Sequence, residues 1–337
     1  MSLLKPLFLA TLSALSLTLS LSIWATEKSV VVAYQQDSQP GEAGFVDGQY
    51  EKVTGYKIDY RVFNSGAEVF AAMASGDVQV GYVGSSPYAA SVSSGLKVKA
   101  FYITTGGGTD EALVVRNGSG INTLADLKGK KLAAAPVSTD HYQLLQVLKM
   151  QGLSEKDTQV FAIPAADIVA AYQRGDIDGA FIWNPALEQL KKNGKVLITS
   201  DEVGKKGAPT FGAWVASEDF VRDNPEFLKQ FVAINNQYVT SYLAKDPSWE
   251  VNGANILSLT KLHGGTPADH VSSLKNMGFV TLQDQLSDKW LGGGDQSGVA
   301  LILKDTSQFL KEQKKISRVL PAYGEFVTAD VIKSLNP

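Results

Sequence analysis

Two stretches of this chain carry one pattern at an offset of 99 positions: SGAEVFAAMASGDVQVGYVGSSPYA over Ser65–Ala89, and PAADIVAAYQRGDIDGAFIWNPAL over Pro164–Leu187. Glu68 falls on Asp167, Ala71 and Ala72 on Ala170 and Ala171, and Gly76-Asp77 on Gly175-Asp176. In each copy, apolar residues at helical spacing run to a glycine suited to a helix C-cap, and a short apolar strand follows. Then comes a residue suited to N-capping ahead of proline, Ser86 before Pro87 and Asn184 before Pro185. The unit is helix, Gly-Asp turn, strand, new helix. Its duplication predicts an α/β fold of two doubly wound lobes, with a small-molecule cleft between them.

The flanking segments extend this reading. KSVVVAYQQ from Lys28 and KKLAAAP from Lys130 are apolar, strand-like openings of the two halves, and VKAFYIT from Val98 is a further strand. Strands alternating with helices imply mostly parallel sheets. EALVVR and PTFGAWVAS, within residues 111–116 and 209–217, bracket the second copy and are expected to be two crossing strands forming a hinge. One lobe then spans residues 115–210, and the other is discontinuous, 26–114 with 217–337. The C-terminal part reads mainly as amphipathic helices padding the discontinuous lobe.

Residues 1–25 differ from the rest. After Lys5 no charge occurs until Glu27, and the apolar run ends in Ile23-Trp24-Ala25, which predicts a secretory signal cleaved after Ala25. An uncleaved membrane anchor is the rival reading of that run. Cysteine is absent, which leaves the lobes to their apolar cores and excludes a lipid anchor on a terminal thiol. A soluble periplasmic monomer is expected. The net charge is −3, and removing the single charge of the signal, Lys5, makes it −4. With no block of Lys or Arg, neither nucleic acid nor an anionic membrane surface is an expected partner.

Three helix starts are the main chemical signal: Ser85-Ser86-Pro87, Ser138-Thr139, and Asn184-Pro185. Each offers unpaired backbone N–H groups and the positive end of a dipole at the ligand-binding end of a parallel strand. Together they predict an anion site built without a cationic side chain. Tyr82 and Phe181 are expected in the core, and Trp183 and Trp214 as cleft walls. Asp37, Glu111 and Asp140 are the acidic candidates. Glu111, at the mouth of a crossing after GGGTD, is placed either to receive an ammonium or to stay a solvated loop carboxylate. Catalysis is not expected: His141, His263 and His270 lack metal-ligand spacing, no G-x-S-x-G elbow occurs, and there is no thiol. No cofactor or metal is expected either.

VVVAYQ, FNSGAEVFAAMASGDVQVGYVGSSP, EALVV, LKGKKLAAAPVSTDHYQLL, AAYQRGDIDGAFIWNPAL, VGKKGAPTFGAWV and FLKEQ together resemble the taurine-binding periplasmic components of ABC importers, a branch of the aliphatic sulfonate-binding, type II periplasmic binding proteins. The resemblance implies delivery of a small sulfonate to a permease and its ATPase. It also implies that the sulfonate lies against Ser85-Ser86 and Ser138-Thr139, with His141, Tyr142 and Trp183 around it and Glu111 near the amine end. The family's aspartate in the second crossing is replaced here by Gly212, while an acid, Asp37, follows Gln36 in the loop after the first strand. Either Asp37 with Glu111 takes the ammonium, or the ligand lacks one and is another sulfonate, a sulfate ester or a betaine-like zwitterion. An enzyme on the same fold, akin to a pyrimidine-synthesis protein, is the remaining alternative.

Overall fold

A computed structural model describes residues 28–336, and the expected signal segment lies outside them. The strands are β1 (Ser29–Gln35), β2 (Lys57–Phe63), β3 (Val80–Gly84), β4 (Val98–Gly108), β5 (Glu111–Arg116) and β6 (Lys131–Ala134). They continue with β7 (Gln159–Ala162), β8 (Gly179–Trp183), β9 (Gly194–Thr199), β10 (Gly212–Ser217) and β11 (Met277–Phe279). One sheet has the order β11-β4-β10-β3-β1-β2 and the other β7-β6-β8-β5-β9.

Each sheet has a parallel heart. β1 pairs in parallel with β2 and β3, and β6 with β7 and β8. The sheets are mixed rather than mostly parallel, because β10 runs antiparallel to β3 and β4, and β5 antiparallel to β8 and β9. The chain passes between sheets in the short link from Gly108 to Glu111, and returns between Thr199 and Gly212. EALVVR and GAWVAS are each a strand inside one sheet, entered just after a passage.

The duplication is visible in the pairing. The repeat strands end at Gly84 and Trp183, positions separated by the repeat offset. Gly84 pairs with Gly212 at the start of β10, and Trp183 with Glu111 at the start of β5. Gly212 and Glu111 are therefore counterparts, each the first strand residue after the chain crosses.

Alternation sorts the second sheet into two apolar faces. Leu113, Val115 and Phe181 pack with Tyr142 on one, and Ala112, Val114, Ala180 and Ile182 with Tyr172 on the other. The first lobe holds a larger core, in which Trp214 meets Phe231 at 4.9 Å and Phe45 at 6.2 Å between ring centroids. The Gly298–Glu312 helix touches both lobes. Ser307 bonds Ser93 at 2.9 Å on one side, and Phe309 stands edge-on to Tyr142 at 5.3 Å on the other. Among the described residues, no helix is long and apolar enough to cross a membrane.

Candidate ligand-binding cleft

A cavity of about 60 Å³ lies between the sheets, where β1, β3 and β8 end and β5 and β10 begin. That is small against the few hundred Å³ typical of drug-sized sites, which suits a solute of few heavy atoms. Two helices aim their N-termini at it. Ser65 caps Gly66–Ala74 by accepting the Glu68 N–H, and Ser138 caps Thr139–Met150 by accepting the His141 N–H at 3.1 Å. Ser65, Gly66 and Ala67 line the cavity from one lobe, Ser138 and Thr139 from the other. Val137, just before the second start, has φ 60, an uncommon conformation for a β-branched residue and the kind of local strain found at binding turns.

The remaining walls are hydroxyls and carboxyls. Tyr82, Thr105, Ser200 and Thr210 add hydroxyl groups, and Asp37, Asp110 and Glu111 add acids. Among the described residues, no Lys, Arg or His lines this cavity. Thr139 Oγ1 donates to Glu111 Oε1 at 2.9 Å, and Gln39 Nε2 donates to Asp37 Oδ2 at 2.8 Å and to the Tyr82 hydroxyl at 3.0 Å.

The residues expected from sequence are only partly brought together. Asp37, Glu111, Ser138, Thr139 and Trp183 line the cavity. Gln36 does not: alternation at the end of β1 turns Gln35 inward and leaves Gln36 exposed, beside Phe63 and Trp183 at an apolar outer mouth. Ser85 is engaged elsewhere, its N–H donating to the Phe211 carbonyl at 2.9 Å, and Ser86 is buried beneath the surface with an unpartnered hydroxyl. Gly84 and Pro87 line the cavity in their place.

His141 and Tyr142, the third and fourth residues of that helix, do not line the cavity. His141 accepts the Val137 N–H at 3.2 Å and faces Glu155 at 3.6 Å, and burial holds its pKa below the ordinary value. Asn184 does not cap a helix. Its N–H donates to the Asp110 carbonyl at 3.0 Å, the Asn184-Pro185 peptide is cis, and the helix begins at Ala186. Trp214 is no cleft wall: it is 0% exposed, because its side of β10 faces the lobe core.

Several lining residues lay outside the sequence reading: Gln35, Ser65, Asp110, Thr105, Ser200 and Thr210. Ser65 carried a usable signal, since Ser65-x-x-Glu68 has capping-box spacing: the Glu68 N–H donates to Ser65 Oγ at 3.3 Å, while the Glu68 carboxylate accepts the N–H of Asn64 rather than that of Ser65. Tyr82, expected in the core, packs its ring on Trp214 while its hydroxyl reaches the cavity. Gly212 is closely packed, because a Cβ there would overlap the Tyr82 hydroxyl and come within 2.7 Å of Thr105 Oγ1, so a side chain at this position would have to displace them.

Burial dominates the electrostatics. It raises the Glu111 pKa to about 7, reinforced by the Asp37 charge and opposed by the Thr139 hydrogen bond. Asp110 is held well above the usual carboxylate range by burial and then by the charges of Glu111 and Asp37. Asp37 is raised by burial and partly restored by Gln39. Acids crowded in a poorly solvated gap resist simultaneous ionisation and favour an incoming cation. No group of three His, Cys, Asp or Glu among the described residues is arranged to hold a metal ion.

Two mixed sheets joined by two passages, with helix starts from both halves facing a small shared cavity, define a two-lobed solute-binding protein. The family model for ABC transporter, phosphonate, periplasmic substrate-binding protein matches residues 49–224. The taurine-binding periplasmic protein of Escherichia coli is 37% identical over 305 residues, covering 90% of this chain and 93% of the relative. The alkanesulfonate-binding protein of Xanthomonas axonopodis pv. citri, solved bound to MOPS, superposes with a TM-score of 0.73 at 22% identity over 90% of this chain and 99% of that one. The periplasmic aliphatic sulphonate-binding protein of Escherichia coli gives 0.70 at 21% identity, over 89% of this chain and 92% of that one. The chain belongs to the periplasmic substrate-binding proteins of ABC transporters.

Proposed function

We propose that this protein captures taurine, or an aminosulfonate close to it, in the periplasm and delivers it to a membrane permease driven by an ATPase. The observation that carries the reading is the composition of the cavity: amide-bearing helix starts and hydroxyls on some walls, carboxyls on the others, and no cationic side chain among the described residues. A plain anion would meet the acids, and a plain cation would leave the helix starts unused. A small zwitterion uses both. The similarity to the taurine-binding protein of Escherichia coli supports the same choice.

In this reading the sulfonate lies against the Ser65-Gly66-Ala67 and Ser138-Thr139 helix starts, and the ammonium lies among Asp37, Asp110 and Glu111. Glu111 serves in the second lobe, and Asp37 supplies the acid that its counterpart Gly212 lacks. The lobes, residues 26–114 with 217–337 and residues 115–210, close on the ligand, and the permease recognises the closed form. The protein works as a carrier without catalysis and as a monomer, exported by a signal removed after about Ala25.

Thermal unfolding of the mature protein against a panel of taurine, ethanesulfonate, sulfate esters, nitrate and betaine tests this. Taurine at a hundredfold its dissociation constant is expected to add about 2.7 kcal/mol of stability. A midpoint unmoved by taurine but raised by ethanesulfonate or betaine would replace taurine as the ligand, and no shift with any member would refute the ligand class.

A further inference from the structure

The cleft contains more carboxyl groups than one ammonium needs. Behind Asp37, Asp110 and Glu111 sits Asp140, in the first turn of the Thr139–Met150 helix, 0% exposed and with neither carboxyl oxygen hydrogen-bonded to another residue. A carboxylate so placed, beside other acids, is costly to ionise.

Asp37 faces His263, which burial lowers to about 4 and so keeps neutral near pH 7, and His263 in turn meets the buried Glu42 carboxyl at 2.9 Å. Around Glu111 stand Asp37 from the loop after β1, Asp110 from the preceding link, Asp140 from the helix, and the Thr139 and Ser200 hydroxyls. The flanking strands present Trp183 and Thr199, which carry no charge. Tyr82, across the cavity, is held protonated by burial and the Asp37 charge. His141, on the same helix as Asp140, faces Glu155 instead. Lys205, on the Ser200–Lys205 helix, is exposed and paired with Asp201 at 2.6 Å.

We propose, resting on the reading of the ligand as a primary-ammonium zwitterion, that its capture expels a proton: the ammonium replaces a proton shared among the carboxyl groups of Asp37, Asp110, Glu111 and Asp140. The O–H bond of one carboxyl breaks, the proton leaves to solvent, and the carboxylate formed pairs with the ammonium. The ligand's own two charges are unchanged. Affinity for the zwitterion then rises with pH as the displaced proton becomes easier to remove. A sulfonate without an amine has no such gain, since ionised acids repel it.

The test is calorimetric titration of the mature protein with taurine at matched pH in cacodylate and in imidazole, buffers that differ in ionisation enthalpy and carry no sulfonate. With Glu111 near 7, about half a proton is expected to be released per taurine at pH 7 and roughly a tenth at pH 8. The dissociation constant should fall about fivefold from pH 6 to pH 7 and less than twofold from pH 7 to pH 8. Equal enthalpies in the two buffers with a flat dissociation constant would overturn proton displacement while leaving taurine as the ligand. Absence of any taurine binding would remove the ligand assignment and the proposal with it.

Discussion

Glu111→Gln is expected to weaken taurine binding about a hundredfold and, above pH 7, to make the empty protein more stable. The first effect follows from removing the charge while keeping the shape. Glutamine retains an oxygen that can accept the Thr139 hydroxyl, so the helix start keeps its partner while the ammonium loses a buried counter-charge, a loss typically of about 2–5 kcal/mol. A hundredfold change corresponds to about 2.7 kcal/mol.

The second effect follows from proton linkage. With a folded pKa near 7 and an ordinary value of 4.5, Glu111 binds more protons in the folded than in the unfolded state between those limits. Stability therefore falls as pH rises through that window, by on the order of 3 kcal/mol, and the loss is complete above it. The glutamine variant escapes it. His263, lowered to about 4 by burial, acts with the opposite sign, stabilising the fold as pH rises toward 6.5, but both proteins keep it and the difference between them does not contain it. Melting curves of the two ligand-free proteins from pH 4.5 to 8 should nearly coincide at the acid end and separate by several degrees at the alkaline end. A separation independent of pH would contradict the account.

Trp214→Ala should cause the largest loss of stability, about 3–5 kcal/mol, through the cavity it opens. Trp214 is fully buried on β10, against Tyr82 at 5.6 Å, Phe231 at 4.9 Å and Phe45 at 6.2 Å. The melting midpoint is expected to drop by on the order of 10 °C. Trp214→Phe is the control: it removes the buried, unpartnered Nε1–H together with part of the ring volume, and should cost much less than the alanine variant. If Trp214→Ala melts with the parent but loses taurine, the residue belongs to the ligand site after all.

The duplicated unit was legible because its punctuation is local. A glycine C-cap, a short apolar strand and a helix start need no knowledge of the rest of the chain, and two copies at one offset place both strand ends at the cleft. What escaped depends on phase and depth. One residue of alternation separates Gln35, which lines the cavity, from exposed Gln36. Trp214 lies on a strand buried on both sides, and no local pattern tells which side is the core. A helix aimed end-on at a cavity presents only its cap and its first residue, so Ser138 and Thr139 reach it while His141 and Tyr142 do not. Asn184-Pro185 looked like a helix start, but the Asn184 N–H is taken by the Asp110 carbonyl and the helix begins at Ala186. Asp110, adjacent to a recognised candidate, acquires its role only from the link that carries the chain between sheets. The acid at Asp37 and the glycine at Gly212 were both readable in the sequence, but the crowding beside Gly212 was not: the Tyr82 hydroxyl and Thr105 already fill the space there.

A crystal structure of the mature protein grown with taurine measures the arrangement itself. The account predicts one taurine between the lobes, its sulfonate oxygens within hydrogen-bonding distance of the Ser65-Gly66-Ala67 and Ser138-Thr139 helix starts and its nitrogen among Asp37, Asp110 and Glu111. A taurine bound in the reverse sense, or lodged in the apolar mouth between Phe63 and Trp183, would contradict it.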